Sequence, residues 1–357
     1  MNLRVLVVDD TIMYRKVVGD ILAEIPGIEV VGTANNGKIA LTRIASLKPD
    51  LITLDVEMPV MNGLETLQEI QKSFPDVGVI MLSTLTKRGS DITMRALELG
   101  AFDFIAKPDA EVMQENVQML RSAIQPRVKA FAKRVELRAL LKQKHRPTGG
   151  AAPVPAAPSV LASSRRAGKS KAVAIGISTG GPNALTKMLP QLPKLGVPIF
   201  VVQHMPPVFT KSLAESLDSK CQYEVREAEN NEVVRPDVIY IAPGGKHMRV
   251  ASSTVGTKII QITDDPPENN CKPAADYMFR SVAREYGALS TGVIMTGMGG
   301  DGTLGLKVLK SFGAVTIGQD EESCVVYGMP KIAVEAGVVD VISPLQMIAS
   351  EIIRTVR

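Results

Sequence analysis

The chain has no tryptophan, and its aromatic fraction is only 4%. Whatever cores it builds must therefore be aliphatic. Cysteine is nearly as scarce. Cys221, Cys271 and Cys324 stand far apart, with no metal-binding or redox spacing and no disulfide framework, which suits a reducing compartment. No apolar run reaches the length of a membrane span. The first residues run from an apolar stretch into two aspartates, without the anatomy of a signal peptide. The expectation is a cytoplasmic protein with no membrane insertion. Acid is missing from one long stretch: no Asp or Glu lies between Glu136 and Glu215, where Lys and Arg recur. Such a stretch can meet nucleic acid, lipid headgroups or acidic protein. The reading adopted is a solvated linker with basic flanks and no nucleic acid.

What is present is ample for two α/β domains: 357 residues, 45% of them hydrophobic. In the first part, short apolar runs at 5–8, 30–33, 51–54, 79–82 and 102–105 alternate with helical stretches such as 12–22 and 64–70. Runs this short suit strands buried on both faces of a parallel sheet. Beyond Pro126 the chain turns basic, with Val128, Phe131 and Val135 at helical spacing. Residues 147–171 are rich in Pro, Ala, Gly and Ser, a linker composition. Apolar runs resume at 172–177, 199–202, 238–242, 292–295 and 314–317.

In the first part, acids follow the strands. Asp9 and Asp10 come after the first and Asp55 after the third, on the edge where parallel sheets bind ligands. Clustered carboxylates repel unless a cation sits among them, and hard oxygen donors favour Mg²⁺. Ser83 and Thr84 follow the fourth strand, and Lys107-Pro108 the fifth. Together they make a phosphoryl-transfer site: Asp55 as nucleophile, Asp9, Asp10 and Asp55 around the metal, and Ser83 or Thr84 with Lys107 on phosphoryl oxygens. Asp9-Asp10, Leu54-Asp55, Met58-Pro59, Gly63 and Lys107-Pro108 resemble a two-component receiver domain over residues 1–122. That resemblance implies phosphorylation by a histidine kinase and puts Phe104 at the aromatic switch position. Of the two hydroxyls, Ser83 is favoured.

The second part opens with Ala174-Ile175-Gly176-Ile177-Ser178-Thr179-Gly180-Gly181-Pro182, a strand running into a glycine-flanked serine and then a helix. Alone, this turn is weak: it equally suits a phosphate cradle. Two further strand ends strengthen it. One carries Gln203-His204-Met205-Pro206-Pro207, the other Thr296-Gly297-Met298-Gly299-Gly300-Asp301-Gly302. Ser178, His204 and Asp301 supply nucleophile, base and tautomer-holding acid, and backbone amides around Met298 offer an oxyanion hole. A competing order starts from Gly176-x-Ser178-x-Gly180, the α/β-hydrolase elbow, and requires His247 with Asp218 or Asp237. The remaining histidine, His145, lies in the basic region.

The segments 176–181, 203–207, 241–247 and 296–302, with Cys324-Val325-Val326-Tyr327-Gly328-Met329-Pro330, resemble the chemotaxis protein-glutamate methylesterase family, CheB. The resemblance implies hydrolysis of methyl-glutamate esters on chemoreceptors and deamidation of receptor glutamines. Its triad falls on Ser178, His204 and Asp301, with Thr179 and Met298 beside them and no cofactor in that domain. Ile177 stands where the family usually has Ala, and Gly300 where Asn is common. The expectation is thus an N-terminal (βα)5 receiver (1–125), a basic Pro/Ala-rich linker (126–170) and a C-terminal doubly wound parallel α/β esterase domain (171–357). The receiver docks on the esterase to control it. A DNA-contacting output domain, the rival, needs a helix-turn-helix in place of this alternation.

Overall fold

The computed structural model describes residues 2–144 and 168–357. The chain divides into two compact units, Met1–Pro147 and Thr148–Arg357.

In the first unit, strands β1 (Leu3–Val8), β2 (Ile28–Ala34), β3 (Leu51–Asp55), β4 (Gly78–Ser83) and β5 (Asp103–Ala106) form one parallel sheet in the order β2-β1-β3-β4-β5. Every residue of β3 is buried, as expected of a central strand covered by helices on both faces. The order reverses between β1 and β3, which opens a crevice at their carboxyl ends. Local chemistry fixes the helix that follows β3. Asn62 caps Gly63–Ser73 in a capping box with Glu65. Gly63 is required there because a Cβ would lie 2.1 Å from the backbone oxygen of Asp55.

The expected linker boundary at residue 126 is displaced. One helix, Met113–Lys144, runs through it with Pro126 inside. Val128 and Phe131 are buried, and the Phe131 ring stacks edge-on against Phe102 with centroids 5.1 Å apart. Gly78 leaves room for that ring, since a Cβ there would sit 2.2 Å from it. Arg127 pairs with the buried Asp103 at 3.1 Å. A proline in a helix interior costs about 3 kcal/mol; burial of these side chains offsets it. At the other end, the Ser170 amide donates to Thr355 O at 2.9 Å and its hydroxyl lies 2.7 Å from that of Thr291. Residue 170 therefore belongs to the second unit. His145 and most of the Pro/Ala-rich segment lie outside the described residues.

The second unit holds β6 (Ala172–Ile177), β7 (Ile199–Gln203), β8 (Glu224–Glu227), β9 (Val238–Ile241), β10 (His247–Ser252), β11 (Lys258–Thr263), β12 (Ser290–Ile294), β13 (Val315–Gln319) and β14 (Val341–Ser343). Seven of them make a parallel sheet in the order β14-β13-β12-β6-β7-β9-β8, the doubly wound pattern expected. β10 and β11 form a separate antiparallel hairpin that the apolar runs had not indicated. β6, β7 and β12 are buried throughout. From β6 the chain builds the sheet first on the β7 side and later, with β12, on the other side, so the switch point lies at the carboxyl ends of these strands. No described helix is long and apolar enough to cross a membrane.

Candidate active site and phosphoacceptor site

The receiver crevice gathers the expected acids. Asp9, Asp10 and Asp55 each place a carboxylate oxygen within 4.8 Å of the others. Asp9 and Asp55 are buried, whereas Asp10 is exposed. Lys107, at the end of β5, brings its ammonium to 2.8 Å from Asp9 Oδ2 and 2.8 Å from Asp55 Oδ2. Burial pushes the Asp55 carboxyl up to about 6; Lys107 opposes that rise and Asp9 adds to it. Burial alone would lower the Lys107 pKa, but Asp55 and Asp9 outweigh it and the net shift is upward. This hard, all-oxygen donor set with surplus negative charge fits a magnesium-class cation. The Ser83 hydroxyl is buried and donates to Gly89 O at 3.1 Å, while Thr84 is half-buried with its oxygen 3.2 Å from that of Thr86. Neither hydroxyl bonds to Asp55. Phe104 is buried in β5.

In the second unit, the three expected residues sit at the carboxyl ends of the three switch-point strands. Ser178 follows β6, His204 follows β7 and Asp301 closes the loop after β12. Glycines allow the close approach. A Cβ on Gly297 would lie 2.7 Å from Ser178 Cβ, one on Gly181 would lie 1.9 Å from Gln203 Oε1, and Gly180 takes a φ of 75°. The Ser178 turn is tied down from two sides. Its amide donates to Thr296 O at 2.9 Å and Gln203 Nε2 donates to its carbonyl at 2.9 Å.

The Cys324–Pro330 stretch supplies the outer wall. Val326 N donates to Thr296 Oγ1 at 3.0 Å, that hydroxyl lies 3.0 Å from Thr179 O, and Gly297 N donates to Val326 O at 3.0 Å. Met298 is exposed at the rim. Among the described residues the amides of Thr179 and Met298 make no hydrogen bond. Ile177 is wholly buried, and a Cβ on Gly300 would press on Ile332 at 3.1 Å. These two positions thus adjoin Ser178 at the end of β6 and Asp301 in the loop after β12.

His204 and Asp301 are joined: Nε2 lies 2.8 Å from Asp301 Oδ2. The carboxylate only accepts, so in the neutral ring the hydrogen is on Nε2 and Nδ1 is the acceptor, facing the Cys271 thiol. Asp301 also receives the amides of Ala275 (2.6 Å) and Asp276 (3.1 Å) and the Asn269 side chain (3.1 Å). Burial raises its pKa, but these hydrogen bonds and His204 hold it below the usual carboxylate range. Burial would depress His204; the bond to Asp301 and the neighbouring Cys271 thiol reverse this and hold its pKa up at about 9.

One contact expected of the three is not made. Among the described residues no hydrogen bond joins the Ser178 hydroxyl to His204. Instead Cys271 Sγ faces Nδ1 at 3.7 Å. Cys271, Asn269 and Asp276 had carried no signal in the sequence. They reach the site from the loop and helix after β11, and only the course of the chain brings them there.

The competing order fails. His247 is fully buried, with Nε2 3.0 Å from Pro266 O, Nδ1 accepting from Ala274 N at 3.3 Å, and its ring stacked on Tyr277. Both nitrogens are occupied in packing. Asp218 and Asp237 are taken up by the amides of Val225 and Gly196.

Comparison with known proteins agrees with this division. The CheB methylesterase family profile matches residues 173–352, and the response regulator receiver domain profile matches residues 5–118. The Desulfotalea psychrophila protein-glutamate methylesterase/protein-glutamine glutaminase is 56% identical over 374 residues, covering 100% of this chain and 99% of that protein. The Bacillus subtilis protein of the same name is 43% identical over 362 residues, covering 99% of each. The crystal structure of the Thermotoga maritima CheB methylesterase catalytic domain is 44% identical, covers 52% of this chain and 98% of that one, and superposes with a TM-score of 0.51. A catalytic-domain profile over half the chain, a receiver profile ahead of it and full-length relatives of this identity establish that the chain belongs to the CheB methylesterase family.

Proposed function

We propose that the chain is a phosphorylation-controlled esterase that removes methyl groups from methyl-glutamates of chemoreceptors and deamidates receptor glutamines. The observation that carries this reading is the Asp301–His204 pair set beside the Ser178 turn at the sheet's switch point. Ser178 Oγ attacks the side-chain carbonyl carbon of the substrate glutamate. His204 Nδ1 takes the hydroxyl proton, and Asp301 holds the imidazolium that results. The proton then passes to departing methanol, or to ammonia when the substrate is an amide. Water attacks the acyl-enzyme with His204 again as base. The unengaged amides of Thr179 and Met298 face developing negative charge on the carbonyl oxygen. For the first step the Ser178 hydroxyl must turn to Nδ1 in place of Cys271. Methanol release from methylated receptor, with and without a phosphodonor, tests the whole reading; no release under either condition refutes it.

Base catalysis needs neutral His204, and a pKa held up at about 9 leaves little of it at neutral pH. The expected result is a kcat/KM that climbs with pH through the neutral range, is half-maximal near pH 9 and levels only above it. A profile flat from about pH 6 to about pH 9 contradicts the raised pKa, and near-normal hydrolysis by a folded His204→Gln protein removes His204 as the base.

In the receiver, Asp55 takes the phosphoryl group from a histidine kinase. Asp9, Asp10 and Asp55 would hold Mg²⁺, which when bound neutralises charge on the phosphoryl oxygens. Lys107 binds one such oxygen, and Ser83, or Thr84, another by moving toward Asp55; the buried Phe104 shifts with that movement. Acetyl phosphate should label the wild type, and both EDTA and Asp55→Asn should abolish the label. Labelling that survives either treatment contradicts this assignment.

A further inference from the structure

The three cysteines sit in different chemistry. Burial, reinforced by Asp218, pushes the Cys221 thiol up to about 11, and burial with Asp320 drives Cys324 higher still. Cys271 is half-buried and points at an imidazole nitrogen, with Sγ 3.7 Å from His204 Nδ1. Its loop is braced. Cys271 and Glu268 exchange backbone hydrogen bonds at 2.7 and 3.1 Å, Glu268 pairs with Arg280 at 2.5 Å, and Asn269 bonds both Asp276 and Asp301.

Cys271, His204 and Asp301 each place a donor atom within 4.8 Å of the others. Asp301 holds Nε2, so the lone pair on Nδ1 faces the sulfur. Metal-bound histidines are built this way, with a carboxylate on one ring nitrogen and the ion on the other. The spacing agrees as well. A zinc ion with bonds of about 2.3 Å to sulfur and about 2.0 Å to nitrogen at a tetrahedral angle separates those atoms by about 3.5 Å. The 3.7 Å gap admits such an ion with little movement of the loop.

We infer that Cys271 Sγ and His204 Nδ1 form a site for a thiophilic divalent cation of the zinc class, braced by Asp301, and that filling it shuts the hydrolase off. On binding, the thiol proton leaves to solvent and coordinate bonds form from Sγ and Nδ1, with no change of oxidation state. Water takes the remaining positions. Mg²⁺, which prefers oxygen donors, does not compete. The shut-off rests on His204 acting as the base; the binding does not.

The test uses the full chain without phosphodonor. Co²⁺, added as a probe for the zinc site, should give a near-ultraviolet sulfur-to-cobalt charge-transfer band that Zn²⁺ abolishes and Mg²⁺ does not. The band should be missing in Cys271→Ser and in Cys271→Ala and present in Cys221→Ser. Zn²⁺ should inhibit ester hydrolysis reversibly. Relative to each protein's own zinc-free rate, the inhibitory concentration should rise at least about tenfold in the Cys271 variants. No band, or a band unaffected by Cys271 substitution, overturns the site. A Cys271-dependent band with full activity overturns the shut-off and counts against His204 as the base.

Discussion

Ser178→Ala should lower kcat for ester hydrolysis by about 10⁴–10⁶-fold, with little change in stability. The size comes from losing the proposed nucleophile; the amides of Thr179 and Met298 would still bind the carbonyl oxygen and sustain a residual rate. The stability expectation comes from the setting. The Ser178 backbone, not its hydroxyl, carries the hydrogen bonds to Thr296, Gly181 and Gln203 that hold the turn. The hydroxyl bonds to nothing in the described residues, so alanine removes no buried partner. Two measurements decide it: single-turnover methanol release and thermal unfolding on the same preparation. A folded Ser178→Ala protein that hydrolyses at a near-normal rate removes Ser178 as the nucleophile. The Cys271 thiol, 3.7 Å from the same imidazole, would then be the group to examine, and Cys271→Ala in the Ser178→Ala background separates the two.

Much of this site is legible in the sequence for a physical reason. A parallel sheet buries its strands on both faces, so they appear as uninterrupted apolar runs, and their carboxyl ends share one edge. The positions past the end of each run therefore pick out Asp9, Asp55, Lys107, Ser178, His204 and Asp301 from sequence alone. The β10–β11 hairpin escapes that logic. Residues along β10 alternate between buried Met248 and Val250 and exposed Arg249, so no continuous apolar run marks it. Pro126 misleads in the other direction. It reads as a helix breaker, yet Phe131 finds a pocket at Phe102 and Gly78 that keeps the helix going. Cys271 is illegible for a third reason. Its contact with His204 depends on a loop folding back across 67 residues of sequence, and no local pattern encodes that distance.

Asp301→Asn should cost about 10⁴-fold in kcat, with a measurable loss of stability. Asp301 accepts four hydrogen bonds: Oδ2 takes His204 Nε2 and Ala275 N, and Oδ1 takes Asn269 Nδ2 and Asp276 N. An asparagine has one acceptor oxygen and one donor NH₂ in the same space. With the NH₂ toward His204, the ring must accept at Nε2, so its hydrogen moves to Nδ1 and the nitrogen meant for the Ser178 proton is blocked. With the NH₂ turned away, it meets the donors of Asn269 and Asp276. Either way at least one buried N–H loses its acceptor, a penalty of about 1–3 kcal/mol. The histidine also loses the carboxylate that helps hold its pKa at about 9, so the residual activity should show its pH limb shifted downward. A purely structural role for Asp301 would lower thermal stability and leave that limb in place. If folded Asp301→Asn keeps both the wild-type limb and a kcat within about tenfold of normal, Asp301 is not the acid that orients His204.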